Sequence, residues 1–183
     1  MERSAAIDLL FRYVRGPGLQ KHCLATGAVM KSIARSLGED TDLWETIGIL
    51  HDIDYELIHE DMQQHGAAGA KILIENGIDP DIAHIIERHN HKLFSGTYDR
   101  PVEIALQAAD SVSGLVIACA LVKGGKLSEV TVKTVTKKVK EKSFAVGCDR
   151  NRIALGAALL PLPDLYSAAI EGLMSIRGEL ELT

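Results

Sequence analysis

Apolar residues recur at three- and four-residue steps along almost the whole sequence, and this spacing constrains the fold more than any other feature. Each residue of an α-helix advances by about 100°, so side chains with this spacing share one face that can be buried. Strict two-residue alternation, which is typical of half-buried strands, is brief wherever it occurs. The sequence therefore predicts an all-α protein, with helices over residues 4–14, 18–37, 41–52, 64–76, 79–91, 101–122, 128–142, 149–160 and 163–177.

Residues that start and stop helices support these boundaries. Gly38 and Gly77 each follow a predicted helix, where a residue that tolerates the left-handed conformation is expected. Asp79 and Asp149 each stand at the first position of one, where a carboxylate caps free backbone N–H groups. The segment 128–142 is rich in β-branched residues, which favour strands, but its valines keep a helical step and a helix is predicted there too.

Length and charge limit the class of protein. At 183 residues the chain is close to one domain of about 150 residues, so residues 1–183 are expected to form a single compact multi-helix bundle. A net charge of −5 argues against duplex nucleic acid as a partner. Three cysteines without metal-site spacing, no signal-peptide pattern and no uninterrupted apolar run long enough to span a bilayer predict a cytoplasmic protein without a membrane partner.

Helical phase divides the seven histidines into two groups. A polar residue that shares the phase of an apolar stripe is expected to point into the protein. His84 and His91 fall on the polar side of their predicted helix, and His59 lies in a polar connection, so these three are expected at the surface. His91 is near the end of its helix and could still turn toward a site. The residues expected to point inward are His22, His51, Asp52, His65, His89 and Asp110.

Six inward imidazoles and carboxylates require partners. A lone core histidine is often only hydrogen-bonded, and Asp110 alone could be a salt-bridged structural residue. Six such groups converging on one interior are difficult to satisfy with hydrogen bonds alone, because an unpaired buried carboxylate is costly. Neutral imidazole and carboxylate are natural ligands of transition metals. The sequence therefore predicts a site for one or two divalent ions, with Mn, Fe, Ni, Co and Zn all compatible.

The order of these residues resembles the HD superfamily of metal-dependent phosphohydrolases. His22 is followed by the adjacent pair His51-Asp52 in ILHDID and by Asp110 in AADSVSG. The resemblance implies an HD-domain-like helical bundle in which helices within residues 18–122 carry the metal site. The helices predicted within residues 128–177 match no motif of the family.

Two further histidines resemble the additional ligands of HD proteins that hold two metals. They are His65 in HGAAGAKIL and His89 in IIERHNH. By this resemblance Asp52 bridges the two ions and is both a ligand and a catalytic residue. The remaining ligands divide into His22, His51 and Asp110 for one ion, and His65 and His89 for the other.

The activity implied by the resemblance is hydrolysis of a phosphate ester by metal-activated water, in a phosphomonoesterase or a phosphodiesterase. The expected substrate is a small phosphorylated molecule or a nucleotide. Candidate phosphate contacts are Lys21, Arg88 and Lys92, which flank predicted ligands, whereas the helix of Arg150 and Arg152 cannot be placed relative to the site. Candidates for the general acid are Asp54, Glu56 and His91, and Glu87 is one option for orienting a ligand histidine.

Alternative functions use the same ligands. The chain lacks the His-His pair and Gly-Tyr-Pro triplet of HD-GYP phosphodiesterases, and it lacks the lysine that commonly follows the His-Asp pair. A small branch of HD proteins holds a di-iron centre with this six-ligand set and oxidises substrates with oxygen. A metal-bound sensor or scaffold without catalysis is the third alternative, and the C-terminal helices could cover the site or form a homodimer contact.

Overall fold

The computed structural model describes residues 1–59 and 61–183, and all regular secondary structure in these ranges is helical. The predicted all-α fold is confirmed. The α-helices are α1 (Arg3–Tyr13), α2 (Pro17–Leu37), α3 (Thr41–Leu50), α4 (Ala67–Glu75), α5 (Pro80–Arg88), α6 (Pro101–Leu121), α7 (Val132–Lys138), α8 (Arg150–Leu155) and α9 (Leu162–Ser175), with short 3-10 helices at Leu127–Glu129 and Gly156–Ala158.

Aspartate caps begin several of these helices. The Asp79 side chain accepts a hydrogen bond from the Asp81 N–H at the start of α5, and the Asp149 side chain accepts from Asn151 and Arg152 at the start of α8. These contacts satisfy backbone donors that have no partner within the helix. Gly38 ends α2 with φ of 73°, in the left-handed region that glycine enters without strain. The predicted start and stop residues therefore act as expected.

Several predicted helices are shorter than expected. The helix predicted over 41–52 ends at Leu50, and of 149–160 only Arg150–Leu155 is α-helical. The helix predicted over 64–76 begins only at Ala67, because Gly66 takes a φ of 89° that no helical residue adopts. The helix predicted over 79–91 ends at Arg88. Within 128–142, only Val132–Lys138 forms an α-helix. The changed ends of α3, α4 and α5 have a consequence for the site, since they place four predicted ligands outside the helices: His51, Asp52, His65 and His89.

Helix α2 lies at the centre of the bundle and packs against α3, α6 and α9. Its approach to α3 depends on glycine at both helices, because a Cβ at Gly48 would lie 2.7 Å from the Gly27 Cα. Its approach to α9 depends on Gly172, where a Cβ would lie 2.5 Å from the Ala28 carbonyl oxygen. These close contacts fix how α3 and α9 pack against α2, which carries His22.

Helix α6 is the most apolar helix of the bundle and packs against α2, α3, α7, α8 and α9. By length and composition alone, α6 could cross a membrane. Helices α8 and α9 are long and apolar enough only when taken together, and they are bent by 108° relative to each other. In the structure 67% of the most apolar window of α6 is buried by other helices, as in the core helix of a bundle. The buried side chains of α6 and of the C-terminal helices join the same hydrophobic core as those of α2 and α3.

Candidate metal centre

The six predicted ligands come from five parts of the chain that meet at one end of α2. Only His22 in α2 and Asp110 in α6 lie within helices. His51 and Asp52 directly follow α3, His89 directly follows α5, and His65 lies in the turn before α4. Helix ends and turns can bring side chains from different elements to one point, and the structure brings all six predicted residues together.

Four donor atoms form a first group. His22 Nε2 lies 3.2 Å from His51 Nε2 and 3.2 Å from Asp110 Oδ1. Asp52 Oδ2 lies 3.5 Å from His22 Nε2 and 3.4 Å from His51 Nε2. The longest of these separations joins His51 Nε2 to Asp110 Oδ1, at 3.9 Å. His22, His51 and Asp52 thus present donor atoms close enough to hold one ion, and Asp110 Oδ1 lies beside the two histidines.

Three donor atoms form a second group on the other side of Asp52. Asp52 Oδ1 lies 3.4 Å from His65 Nε2 and 3.3 Å from His89 Nε2. The rings of His65 and His89 are nearly perpendicular, with centroids 4.6 Å apart. Asp52 thus presents one carboxylate oxygen to each group, which is the arrangement expected of a bridging ligand.

These separations fit the coordination of a metal ion. Imidazole and carboxylate donors lie about 2.0–2.2 Å from zinc, so two donors at tetrahedral or octahedral angles are about 3.0–3.5 Å apart. Most of the distances around Asp52 fall in that range. The HD fold implies a divalent metal, and this cluster is able to bind one. The role of each residue as a ligand stays a prediction.

Hydrogen bonds fix the orientation of three imidazoles. His51 Nδ1 donates to the Gly48 carbonyl at 2.8 Å, and His89 Nδ1 donates to the Ile86 carbonyl at 2.6 Å. Carbonyl oxygens only accept hydrogen bonds, so both Nδ1 atoms carry a proton, and each Nε2 has a free lone pair when its ring is neutral. The third ring, His65, donates from Nδ1 to Asp54 Oδ1 at 3.0 Å. Metal-binding histidines are commonly oriented in this way.

Asp54 is a structural carboxylate beneath the second group. It is fully buried and also accepts from the N–H groups of Gly66 at 2.8 Å and Gly69 at 2.9 Å. Burial raises the pKa of Asp54, but the hydrogen bond and charge of His65 and the two N–H groups outweigh burial and lower it. Asp54 is therefore an ionised residue that holds His65, and it is not placed to serve as a general acid.

Without metal, the pKa values of the histidines in the cluster are shifted in different directions. Burial lowers the pKa of His22, but hydrogen bonds with Asp110 and Asp52 outweigh burial and raise it to about 10. The pKa of His65 rises to about 9 through Asp52 and Asp54 in the same way. Burial dominates at His51 and lowers its pKa to about 4.

The two carboxylates remain ionised despite their burial. Burial raises the pKa of Asp110, but the hydrogen bond with His22 and the charge of Arg152 hold it far below its usual range. Burial also raises the pKa of Asp52, but the four histidines that surround it hold this pKa well below its usual value. At neutral pH and without metal, His22 and His65 are therefore imidazolium groups, and Asp52 and Asp110 are carboxylates.

The cluster lines a cavity of about 400 Å³. The other polar residues in its wall include His91, Lys92 and Arg152. A neighbouring cavity of about 380 Å³ shares these three residues and extends the space toward Gly147 and Asp149. A chamber of this size accepts a small molecule, and its wall combines the predicted ligands with cationic side chains.

The three candidate phosphate contacts have different surroundings. Lys92 lines both cavities. The ammonium of Lys21 lies 2.7 Å from a carboxylate oxygen of Glu181, and neither residue lines a described cavity. Arg88 lies over the ring of Phe94 with Nε 3.0 Å from buried Glu103. Helical phase could not reveal these competing carboxylates, because they come from distant parts of the chain.

Other expectations about charged residues also change. Glu56 accepts hydrogen bonds from the Arg15 and Gly16 N–H groups, both at 2.7 Å, and is thus occupied away from the cavity. Glu87, the option for orienting a ligand histidine, is instead exposed beside His84. Asp54 and two backbone carbonyls take the orienting role.

His91 was expected on the polar side of its helix, and its side chain is exposed, but it also lies in the wall of the cavity. Helix α5 ends at Arg88, so helical phase no longer applies three residues later. The chain turns at buried Asn90, whose side-chain nitrogen donates to the carbonyls of Met62 and His65. The turn brings His91 into the cavity wall. His84 is exposed, as expected.

Sequence reasoning could not place Arg152 relative to the site, and it missed Gln107. Arg152 Nη1 lies 2.6 Å from Asp110 Oδ2, and Arg152 Nε donates to Gln107 Oε1 at 2.7 Å. Gln107 in turn donates to the His89 carbonyl at 2.9 Å. Helical phase places Gln107 on the buried side of α6, so the sequence could have indicated this residue. Nothing in the sequence places α8 against α6.

Comparisons with known proteins agree with this geometry. The HD domain model matches residues 19–115. Ribonuclease Y of Thermobifida fusca is 30% identical over 107 residues, which are 58% of this chain and 21% of that protein. Ribonuclease Y of Nitratidesulfovibrio vulgaris is 34% identical over 111 residues, which are 58% of this chain and 20% of that protein. The chain spans about a fifth of the length of these relatives. With a match over more than half of its residues, the chain belongs to the HD domain superfamily of metal-dependent phosphohydrolases.

Proposed function

We propose that the protein hydrolyses a phosphate ester of a small phosphorylated molecule or nucleotide, with two divalent metal ions held around Asp52. The observation that carries the proposal is the orientation of Asp52, whose Oδ2 faces His22 and His51 while its Oδ1 faces His65 and His89. A single ion would leave one of these sets without a cation.

Metal ions in such a site supply an activated water nucleophile and neutralise charge on the phosphoryl oxygens. His22, His51, Asp52 and Asp110 would hold one ion, and Asp52, His65 and His89 the other. Lys92 supplies a positive charge in the wall of the cavity, where it can contact a phosphate oxygen. The protein's overall charge of −5 gives no long-range attraction, so binding of an anionic substrate depends on such local cations.

His91 is the remaining candidate for proton transfer to the leaving group. It lines the cavity, whereas Asp54 and Glu56 are occupied by hydrogen bonds elsewhere. Burial and the charges of Arg152 and Lys92 lower the pKa of His91 below its usual value of 6.5. A bound phosphate, which neutralises these charges, favours the protonated imidazole that a leaving group requires.

The volume of the cavity favours a small substrate. A cavity of about 400 Å³ accommodates a nucleotide or a sugar phosphate within its walls. RNA is the second candidate substrate, because the relatives that the chain matches carry the name ribonuclease Y. Hydrolysis of either substrate would use the same metal site.

The decisive experiment begins with metal analysis of protein purified without chelator and without nickel affinity resin. Phosphomonoesters, phosphodiesters and short single-stranded RNA are then assayed with added Mn²⁺, Co²⁺, Ni²⁺ or Zn²⁺. We expect hydrolysis that EDTA abolishes and metal restores, with Asp52→Ala as the inactive control. Absence of hydrolysis under every condition contradicts the proposal.

The alternatives give different results in the same experiment. Tightly bound iron with a mixed-valence magnetic signal and oxygen uptake would indicate a di-iron oxygenase. Saturable binding of a phosphorylated ligand without turnover would indicate a metal-bound sensor or scaffold.

A further inference from the structure

We propose that Arg152 is a positioning residue that holds both halves of the metal site. It lies in α8, outside residues 19–115 that match the HD domain. The inference rests on the proposed metal-dependent function and adds to it, because it assigns a part of the site to the C-terminal region of the chain.

The first contact of Arg152 is with Asp110. Its Nη1 lies 2.6 Å from Asp110 Oδ2, while Asp110 Oδ1 faces His22 Nε2 at 3.2 Å. The two carboxylate oxygens therefore have separate partners. A charge-assisted hydrogen bond to one oxygen restricts rotation of the carboxylate and keeps the other oxygen directed at the first group of ligands.

The second contact reaches the other half of the site through Gln107. Arg152 Nε donates to Gln107 Oε1 at 2.7 Å, and Gln107 Nε2 donates to the carbonyl of His89 at 2.9 Å. Gln107 is fully buried, so bulk solvent cannot replace either partner. Arg152 thus restrains the backbone of His89, whose imidazole faces Asp52 in the second group.

An arginine suits this position better than a lysine. The planar guanidinium presents Nε and Nη1 in a fixed relation, so one side chain can bind a carboxylate and an amide at the same time. A lysine at 152 has a single donor group and could contact Asp110 or Gln107, but could not hold both in the observed geometry. The side chain of Arg152 is only 11% exposed, which strengthens its ionic contact.

Neighbouring residues hold α8 in place. Asp149 caps the helix, and Arg150 donates to backbone carbonyls of Phe144, Ala145 and Cys148 in the loop that precedes it. Helix α8 packs against α6, which carries both Asp110 and Gln107. The C-terminal region is therefore built to deliver Arg152 to these two residues.

The test measures binding of Mn²⁺ alone by isothermal titration calorimetry to the full chain, with the wild type compared with Arg152→Gln and Arg152→Lys. We expect R152Q to bind Mn²⁺ about 10–100-fold more weakly at both sites, the usual cost of losing a residue that orients metal ligands. In R152K we expect the Mn²⁺ affinity to be closer to the wild-type value at the site that includes Asp110 than at the site that includes His89. Arg35→Gln is the matched control, because Arg35 is an exposed arginine at the far end of α2.

A general loss of folding would not give this pattern. Circular dichroism and thermal unfolding in EDTA establish whether each variant is folded, and the absorption spectrum of bound Co²⁺ reports ligand geometry independently of activity. If R152Q does not fold, Gln107→Met provides the same test at the second site alone, where we expect weaker Mn²⁺ binding and an unchanged first site.

The outcomes separate this inference from the proposed function. Unchanged Mn²⁺ affinity and an unchanged Co²⁺ spectrum in R152Q, or in Q107M if only that variant folds, would overturn the positioning role even if the wild type is an active phosphohydrolase. Weaker metal binding in the variant together with a wild type that hydrolyses no phosphate ester would support the positioning role and contradict the function. A wild type that binds no divalent metal would overturn both.

Discussion

His22 and His51 face each other with their Nε2 atoms 3.2 Å apart. His51 donates its Nδ1 proton to the Gly48 carbonyl, so its Nε2 offers only a lone pair when the ring is neutral. Two imidazole lone pairs at this distance repel each other unless a cation lies between or beside them. In the metal-free protein that cation is the proton on His22, and we expect a metal ion to replace it.

Metal affinity should therefore increase with pH. The raised pKa values of His22, about 10, and His65, about 9, mean that each carries a proton at pH 7 that a metal must displace. Mn²⁺ affinity at the site of His22 should rise about tenfold per pH unit up to about pH 10, and at the site of His65 up to about pH 9. Calorimetry in buffers of different ionisation enthalpy should detect release of about one proton per ion at pH 7. Affinity that is constant from pH 6.5 to 8.5 would contradict the protonated state of both residues.

Asp52 should be required for both ions, because each of its oxygens faces a different set of histidines. We expect Asp52→Ala to lose both bound metals, whereas His65→Ala should lose one and keep the other. Metal content per chain, measured by mass spectrometry after gel filtration, distinguishes these results. Two ions retained in D52A would disprove the bridging role, and His84→Ala, at an exposed position, serves as the control with unchanged content.

Helical periodicity in the sequence was sufficient to predict the all-α fold and the inward direction of His22 and Asp110. Both residues lie well inside long helices, α2 and α6, where each step of the chain rotates by a constant angle. The same reasoning indicated that His91 is exposed but could not place it in the cavity wall, because the helix had already ended and a buried Asn90 redirected the chain. Phase arguments apply only as far as the helix does, and its last turn is the least predictable from sequence.

The partners of the predicted ligands could not be predicted for a different reason. The contact between Arg152 and Asp110 depends on how α8 packs against α6, and the contact between Asp54 and His65 depends on a turn at Gly66. Neither relationship leaves a periodic signal, since each joins residues whose separation in the chain is unrelated to helix geometry. The sequence thus indicated the residue types needed for a metal site but not the residues that orient them.

Asp54 should contribute to both stability and metal binding. It is fully buried and accepts three hydrogen bonds, from His65 Nδ1 and from the N–H groups of Gly66 and Gly69. Asp54→Ala leaves these donors without an acceptor, and each unsatisfied buried donor costs about 1–3 kcal/mol. We expect the free energy of unfolding in EDTA, measured by urea titration, to fall by at least about 2 kcal/mol.

Asp54→Asn tests the orienting role with less disturbance. The amide keeps one acceptor oxygen but loses the charge that favours the His65 Nδ1 proton, so affinity at the second metal site should fall about 10–100-fold. The first site, which Asp54 does not touch, should keep its affinity. Equal weakening of both sites would show that the substitution acts through the fold and not through His65.

The loss of kcat on replacing His91 should be larger for a leaving group that needs a proton more. An alkyl phosphate releases a strongly basic alkoxide that must be protonated, whereas p-nitrophenyl phosphate releases a stable phenolate. We expect His91→Gln to lower kcat for an alkyl phosphate by about 10²–10⁴-fold, the usual contribution of general acid catalysis, with little change for p-nitrophenyl phosphate. His84→Gln, an exposed histidine on the same segment, should alter neither rate.

The pH profile provides a second measure of the role of His91. Burial and the neighbouring charges of Arg152 and Lys92 lower the pKa of His91 below 6.5, so its protonated fraction falls as pH rises through that range. The rate for the alkyl phosphate, divided by the rate for p-nitrophenyl phosphate, should therefore increase as pH falls toward and below 6.5 in the wild type. This ratio should be independent of pH in H91Q, because changes in metal occupancy affect both substrates equally. An equal loss of kcat for both substrates would instead assign His91 to substrate binding.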